Sequence, residues 1–238
     1  IIVRGMMMGE YFDADVDELL EQMGLREEDR EDIQASVDKL RAAGIIRVMR
    51  GGQLDLAHQS NLLHFGTVQF TATRGKVFFL HEDGDRPGFP GQIDVTPSQT
   101  GTALDGDEVL VRLQHPRRRG PDYGQEAAVL YVLERKRTRY SGTLHRRGGT
   151  WLVEPDDPKV HVEFIVPDPM DGAISPPPKS GDCVAVELTR WDNPHMNPRG
   201  TIAANFGKAR TPLAEYRALI DRYELRETFP DAVLKEVS

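Results

Sequence analysis

The chain is 238 residues long, with 39% hydrophobic and 29% charged residues and a formal net charge of −8. That length suits one large domain or two to three small ones, and the composition suits a globular protein with modest cores. No stretch approaches the roughly 18 apolar residues that a membrane-spanning helix needs, so no membrane partner is expected. The apolar opening Ile1-Ile2-Val3 through Met6-Met7-Met8 is too short to span and lacks the layout of a signal peptide. Cys183 is the single cysteine, which excludes an internal disulfide and a Cys-rich metal site and makes a reducing cytoplasm the default.

Charge is unevenly spread. Residues 1–60 carry 7 Lys/Arg against 13 Asp/Glu, whereas residues 134–210 carry 12 against 10. Local clusters, rather than net charge, attract phosphate. The clusters here are Arg117-Arg118-Arg119, Arg135-Lys136-Arg137 with Arg139, and Arg146-Arg147. The ordinary alternative for each is a solvated loop.

In chain order, Asp15-Val16-Asp17-Glu18 opens a short helix with acidic residues in its first turn, and Gly24 ends it. A second helix starts near Glu27, with Ile33, Val37 and Leu40 on one face and Gly44 as its left-handed cap. Ile45–Val48 and Gln53–Leu56, separated by a stretch containing Gly51-Gly52, read as a hairpin. Helices closing onto a two-stranded wing make a winged-helix module over residues 1–60.

Beyond residue 62 the pattern becomes short β-branched and aromatic runs punctuated by Gly, Pro and Asp, and it repeats. Gly66-Thr67-Val68 is followed 40 residues later by Gly106-Asp107, and Gly142-Thr143-Leu144 is followed 39 residues later by Gly181-Asp182. Each Gly-Asp feeds an alternating strand (Val109–Leu113, Cys183–Leu188), and a further strand follows each (Ala127–Leu133, Gly200–Ala204). About five strands per copy fit two small barrels of the oligonucleotide-binding type, at 62–134 and 138–207. Residues 208–238 read as a helical connector, with one helix near Leu213–Ile220 and a second after Pro230. The expected fold is mainly β with an α-helical N-terminal part.

Such barrels hold single strands by stacking bases on aromatic rings inside a basic groove. The run Gly66-Thr67-Val68-Gln69-Phe70, continuing to Arg74-Gly75-Lys76-Val77-Phe78-Phe79-Leu80, resembles the opening of cold-shock domains. That resemblance implies an exposed ring at Phe70 and a stacking ring at Phe78. Strand alternation puts Lys76 and Phe78 on one face and turns Val77 and Phe79 to the core. Lys76 stands where the family has an aromatic, and Ile93-Asp94-Val95 where a second aromatic motif belongs. The stretch His145-Arg146-Arg147-Gly148-Gly149-Thr150-Trp151-Leu152, ending Pro155-Asp156-Asp157, is similar to the second cold-shock domain of ribonuclease R-type exoribonucleases of the ribonuclease II superfamily. The order of modules resembles that family along nearly the whole chain, including Met23-Gly24-Leu25, Leu40–Ile46 and Leu225–Pro230.

The resemblance implies single-stranded RNA as partner, with Phe70, Arg74, Lys76, Phe78, His145, Arg146, Arg147 and Trp151 as candidate RNA-binding residues. It also implies a hydrolytic 3′-to-5′ exoribonuclease domain that uses Mg²⁺ and whose Asp cluster is missing from this chain. Asp105, Asp107, Asp156 and Asp157 are better explained as turn residues, so no catalytic or metal site and no cofactor are expected here. No nucleophile elbow, phosphate-binding loop or His-Glu-x-x-His is present. A competing reading is a winged-helix transcription regulator with a β-rich accessory domain. The acidic helix Glu27–Asp32 argues against duplex DNA as partner. A third is a protein-interaction scaffold.

Overall fold

A computed structural model of the protein describes residues 1–11, 13–73, 76–84, 91–114 and 125–222. Two compact units are present: residues 1–69 with 76–134, and residues 70–75 with 135–238. Each is described separately.

The first unit begins with three helices, α1 (Ile2–Met8), α2 (Val16–Gln22) and α3 (Arg30–Ala42), followed by the wing strands β1 (Ile46–Val48) and β2 (Leu54–Leu56). Helix α2 starts where the acidic turn predicts. Asp15 accepts hydrogen bonds from the Asp17 and Glu18 N–H groups, and Glu18 reaches back to the Asp15 N–H. The apolar face of α3 is the expected trio, Ile33, Val37 and Leu40, all buried. Helix α1 was not anticipated, because seven residues interrupted by Arg4 and Gly5 have no periodicity to read. Ile2 and Val3 anchor it by burial, and the left-handed Gly9 closes it.

The helical module shares its core with the barrel that follows. Leu19, Leu20, Val37 and Ile45 pack in one cluster with Leu63, Phe65 and Leu110. Each such fully buried side chain contributes about 1.5–3 kcal/mol. Arg4 of α1 pins the rim, with two 2.8 Å bonds to Glu82 and its guanidinium 4.2 Å from the Phe65 ring centre.

That barrel consists of β3 (Leu63–Phe70), β4 (Val77–His81), β5 (Gln92–Val95), β6 (Glu108–Gln114) and β7 (Glu126–Glu134), closed in the order β3-β4-β5-β7-β6. The second unit contains β8 (Arg139–Arg147), β9 (Thr150–Pro155), β10 (Phe164–Val166), β11 (Asp182–Arg190) and β12 (Arg199–Lys208), closed in the order β8-β9-β10-β12-β11. Both run first-second-third-fifth-fourth. Both place their one parallel pairing between the third and fifth strands, β5 with β7 and β10 with β12. This is the five-stranded oligonucleotide-binding barrel.

The sequence repeat has a geometric cause. A Cβ on Gly66 would lie 2.0 Å from the Leu80 carbonyl oxygen, and one on Gly142 2.3 Å from that of Glu154, so the first strand crosses the second too closely for any side chain. The later landmarks also correspond. The Gly106 N–H donates to the Val68 carbonyl at 2.8 Å, and the Gly181 N–H to that of Leu144 at 2.7 Å. In each turn the following Asp accepts from the N–H three residues back, Asp107 from Leu104 and Asp182 from Lys179, both at 2.8 Å. The 40- and 39-residue intervals are therefore the spacing between two contacts that close each barrel.

Helix α4 (Pro212–Arg222) lies on the second barrel, with Ala214 and Ala218 packed on Cys183. Arg139 of β8 makes bonds of 2.8 and 2.6 Å to the Asp221 carboxylate. The expected helix after Pro230 and the Leu225–Pro230 stretch lie outside the described residues. Among the described residues no helix is long and apolar enough to cross a membrane.

Candidate nucleic-acid interface

In the first barrel, β4 alternates as its sequence dictates. Val77 and Phe79 are buried, Phe78 is half-buried and Lys76, just before the strand, is exposed. Phe78 pairs across the ladder with Asp94 of β5, and Asp94 in turn pairs with Glu126 of β7. The ring expected to receive bases thus has the Asp94 carboxylate as its cross-strand neighbour, with Glu126 one strand further on, a surrounding that opposes phosphate.

Phe70 corrects the sequence reading. It was expected as an exposed ring, but it is only 7% exposed. The reason is strand parity: Phe70 lies two residues from Val68, which is fully buried, so both point to the interior side of β3. The ring meets His161 edge to face, with centres 5.9 Å apart. A ring so placed offers no face to a base. Arg74 lies outside the described residues, as does the Arg117-Arg118-Arg119 cluster.

The second barrel presents a different surface at the β8–β9 hairpin, whose turn is Gly148-Gly149, both with positive φ. Its register pairs Arg146 with Trp151 and His145 with Leu152. Trp151 shares its side of β9 with the buried Val153, and Arg146 shares its side of β8 with the buried Leu144. The pair therefore continues the inward-facing rows past the end of the barrel, where the residues are no longer covered. Trp151 is half-buried, Arg146 is exposed, and the guanidinium lies 5.5 Å from the indole ring centre.

The Trp151 N–H is buried and makes no well-aligned hydrogen bond, yet it faces Asp168. That carboxylate is held below its usual range first by the Met170 N–H, then by the indole, with Arg146 contributing charge.

His145 and Arg147 occupy the opposite side of β8, and both converge on Glu163. Arg147 bonds to the two carboxylate oxygens at 3.1 and 3.2 Å. His145 Nε2 comes within 3.1 Å of the same carboxylate, out of line for a hydrogen bond. These two candidates are brought together, but around an acid of their own chain. The Arg147 side chain remains 68% exposed, so a phosphate can compete for it.

Two arginines of the basic cluster at the start of β8, Arg137 and Arg139, serve the fold. Arg137 bonds to Asp157 at 2.8 Å and lies 5.2 Å from the Tyr140 ring centre, and Arg139 is committed to Asp221. Burial alone would raise Asp157, but the Arg137 hydrogen bond, the Lys159 N–H and the charges of Arg137 and Arg222 outweigh it and hold the group low. Its neighbour Asp156 is pushed up, by burial and by the nearby Glu215 and Glu154, despite Arg222. Cys183, whose Sγ lies 3.9 Å from Asp156, is pushed up to about 12 by burial and by that carboxylate, so it is no nucleophile. Among the described residues, no three His, Cys, Asp or Glu side chains are placed to hold a metal ion.

Sequence reading passed over Trp191. An indole flanked by Arg190, Asn193 and Arg199 was the available signal, but it falls in a turn between strands and outside the motifs that carried the resemblance.

The architecture defines the class: a winged helix joined to tandem oligonucleotide-binding barrels, with arginine beside tryptophan on the second. Residues 152–230 match the family model described as cold shock domain. Ribonuclease R of Thermotoga maritima is 29% identical over 215 residues, 89% of this chain and 28% of that protein. Ribonuclease R of Acidithiobacillus ferrooxidans is 24% identical over 222 residues, 93% of this chain and 48% of that protein. The structure of Mycoplasma genitalium RNase R in complex with ribose methylated single-stranded RNA matches in fold, with a TM-score of 0.55 and 20% identity over 72% of this chain and 26% of that one. Over most of its length the chain is similar to these ribonuclease R proteins. It spans less than half the length of these curated relatives.

Proposed function

We propose that this chain binds single-stranded RNA on the exposed ends of its barrels and guides it to a hydrolytic domain of the ribonuclease R type. The observation that carries this reading is the Arg146–Trp151 pair, an indole with a cation beside it at the open end of a barrel whose relatives are ribonucleases R. A flat ring stacks on any base, and the adjacent guanidinium meets the phosphate that follows. Cleavage, with the Mg²⁺ it requires, belongs to the hydrolytic domain, and the setting is cytoplasmic.

A winged-helix regulator of duplex DNA is disfavoured by α3 itself, whose exposed positions include Glu31, Asp32 and Asp38. In the wing, Arg47 is engaged by Asp55 at 2.7 Å.

Fluorescence anisotropy with labelled decauridylate and with a duplex DNA of equal length tests the reading. The expected result is binding to the RNA that weakens steeply as salt rises, with far weaker binding to the duplex and no shortening of the RNA in Mg²⁺. Tighter binding to the duplex, or degradation by rigorously purified protein, overturns it.

A further inference from the structure

The turn between β11 and β12 holds an indole in a fixed position. The Trp191 N–H donates to two carbonyls of its own loop, Asn193 at 3.1 Å and Met196 at 2.8 Å. The loop is braced at several further points. The His195 N–H donates to the Asn193 side chain at 2.9 Å, the Thr189 hydroxyl to the Arg199 carbonyl at 3.1 Å, and the Ile165 N–H to the Pro198 carbonyl at 2.8 Å. The Arg135 guanidinium lies 5.7 Å from the ring centre. Beside the ring opens a pocket of about 330 Å³, lined also by Arg190, Asp192, Asn193, Met196, Asn197 and Arg199. Arg190 is paired with Asp192, while Arg199, Asn197 and Met196 are exposed.

We propose that this pocket is a second binding site for a single unpaired nucleotide of an RNA strand, separate from the Arg146–Trp151 hairpin. The inference rests on the RNA-binding reading and adds a subsite to it. The base lies on the Trp191 ring, with the Met196 side chain as an apolar lip. The 5′ or 3′ phosphate meets Arg199, and the Asn197 amide faces the edge of the base. Ring, amide and cation around one opening match the base, base edge and phosphate of a nucleotide. Loop bonds that fix the indole beforehand reduce the ordering cost of binding. Asp192 is taken up by Arg190, and Arg199 is the cation that the phosphate meets.

The test uses the whole chain and decauridylate. Trp191→Ala is expected to weaken binding about tenfold, the scale of one lost stacked base, while Trp191→Phe retains most of the affinity. Arg199→Glu, a surface change that leaves the turn bonds in place, is expected to weaken binding and reduce its salt dependence. In parallel, photo-crosslinking with 4-thiouridine-substituted RNA is expected to label residues 190–199. Native affinity in both Trp191→Ala and Arg199→Glu, with crosslinks confined to the β8–β9 hairpin, overturns this site and leaves the wider reading standing. Absence of RNA binding by the unmodified chain overturns both.

Discussion

The two barrels are built on one frame and dressed for different surroundings. Gly66 and Gly142 permit the same close crossing of strands, and Gly106-Asp107 and Gly181-Asp182 close the same turn. Their outward residues differ in kind. The first barrel sets Asp94 beside Phe78, whereas the second sets Arg146 beside Trp151 and keeps Arg147 largely exposed. Barrel closure depends on backbone clearance and turn bonds, which tolerate few residue types. The outer faces carry no such demand, so the repeat identifies the fold while the function is written in the residues that do not repeat.

The largest expected effect breaks the shared frame. Gly66→Ala and Gly142→Ala each drive a methyl group against a backbone carbonyl that cannot rotate away, and each is expected to cost about 3 kcal/mol or more. Chemical denaturation measures this. Because Leu63, Phe65 and Leu110 also support the helical core, Gly66→Ala is expected to loosen the winged helix along with its barrel, while Gly142→Ala leaves α1–α3 folded. Equal, mild losses for the two variants would show that the crossings relax and that the repeat has another cause.

A smaller effect sharpens the difference between the faces. Trp151→Ala is expected to weaken decauridylate binding by about 1–2 kcal/mol, and Phe78→Ala by less than about 1 kcal/mol, since the Asp94 carboxylate beside Phe78 repels the strand that would stack there. Anisotropy titrations at one salt concentration compare them, with Trp151→Phe separating loss of the ring from loss of fold. A greater loss for Phe78→Ala would make the first barrel the principal platform.

How much of this was legible in sequence follows the same division. The barrels, α2 and α3 could be read because glycine spacing, alternation and an apolar stripe are local signals. The burial of Phe70 was also latent in strand parity, through its offset from Val68, but the resemblance to an exposed ring took precedence over it. The pairing of His145 and Arg147 with Glu163 was not readable, because Glu163 lies just before a third strand whose register no local pattern fixes. The engagement of Arg137 by Asp157 and of Arg139 by Asp221 was hidden for the same reason: a run of arginines looks like a phosphate site until the fold supplies its acids.

The smallest effect concerns the two neighbouring acids beneath the second barrel, which titrate in opposite directions. Asp157 has a folded value below its ordinary 3.8. Its contribution to stability is therefore present above that ordinary value and is lost as pH falls through the depressed one. Asp156 has a folded value above 3.8, so ionising it costs stability, and the cost grows as pH rises from 3.8 through the raised value. Asp157→Asn is expected to lower the melting temperature at neutral pH, with the deficit closing in acid. Asp156→Asn is expected to raise it slightly at neutral pH, with the gain vanishing as pH falls below 3.8. Both groups are partly open to solvent, which keeps these effects below about 1 kcal/mol. Thermal melts of the two variants across the acid range measure them. Parallel curves would mean that the shared Arg222 governs both acids and that Arg137 does not distinguish them, whereas curves of opposite slope would trace the Arg137 bond directly.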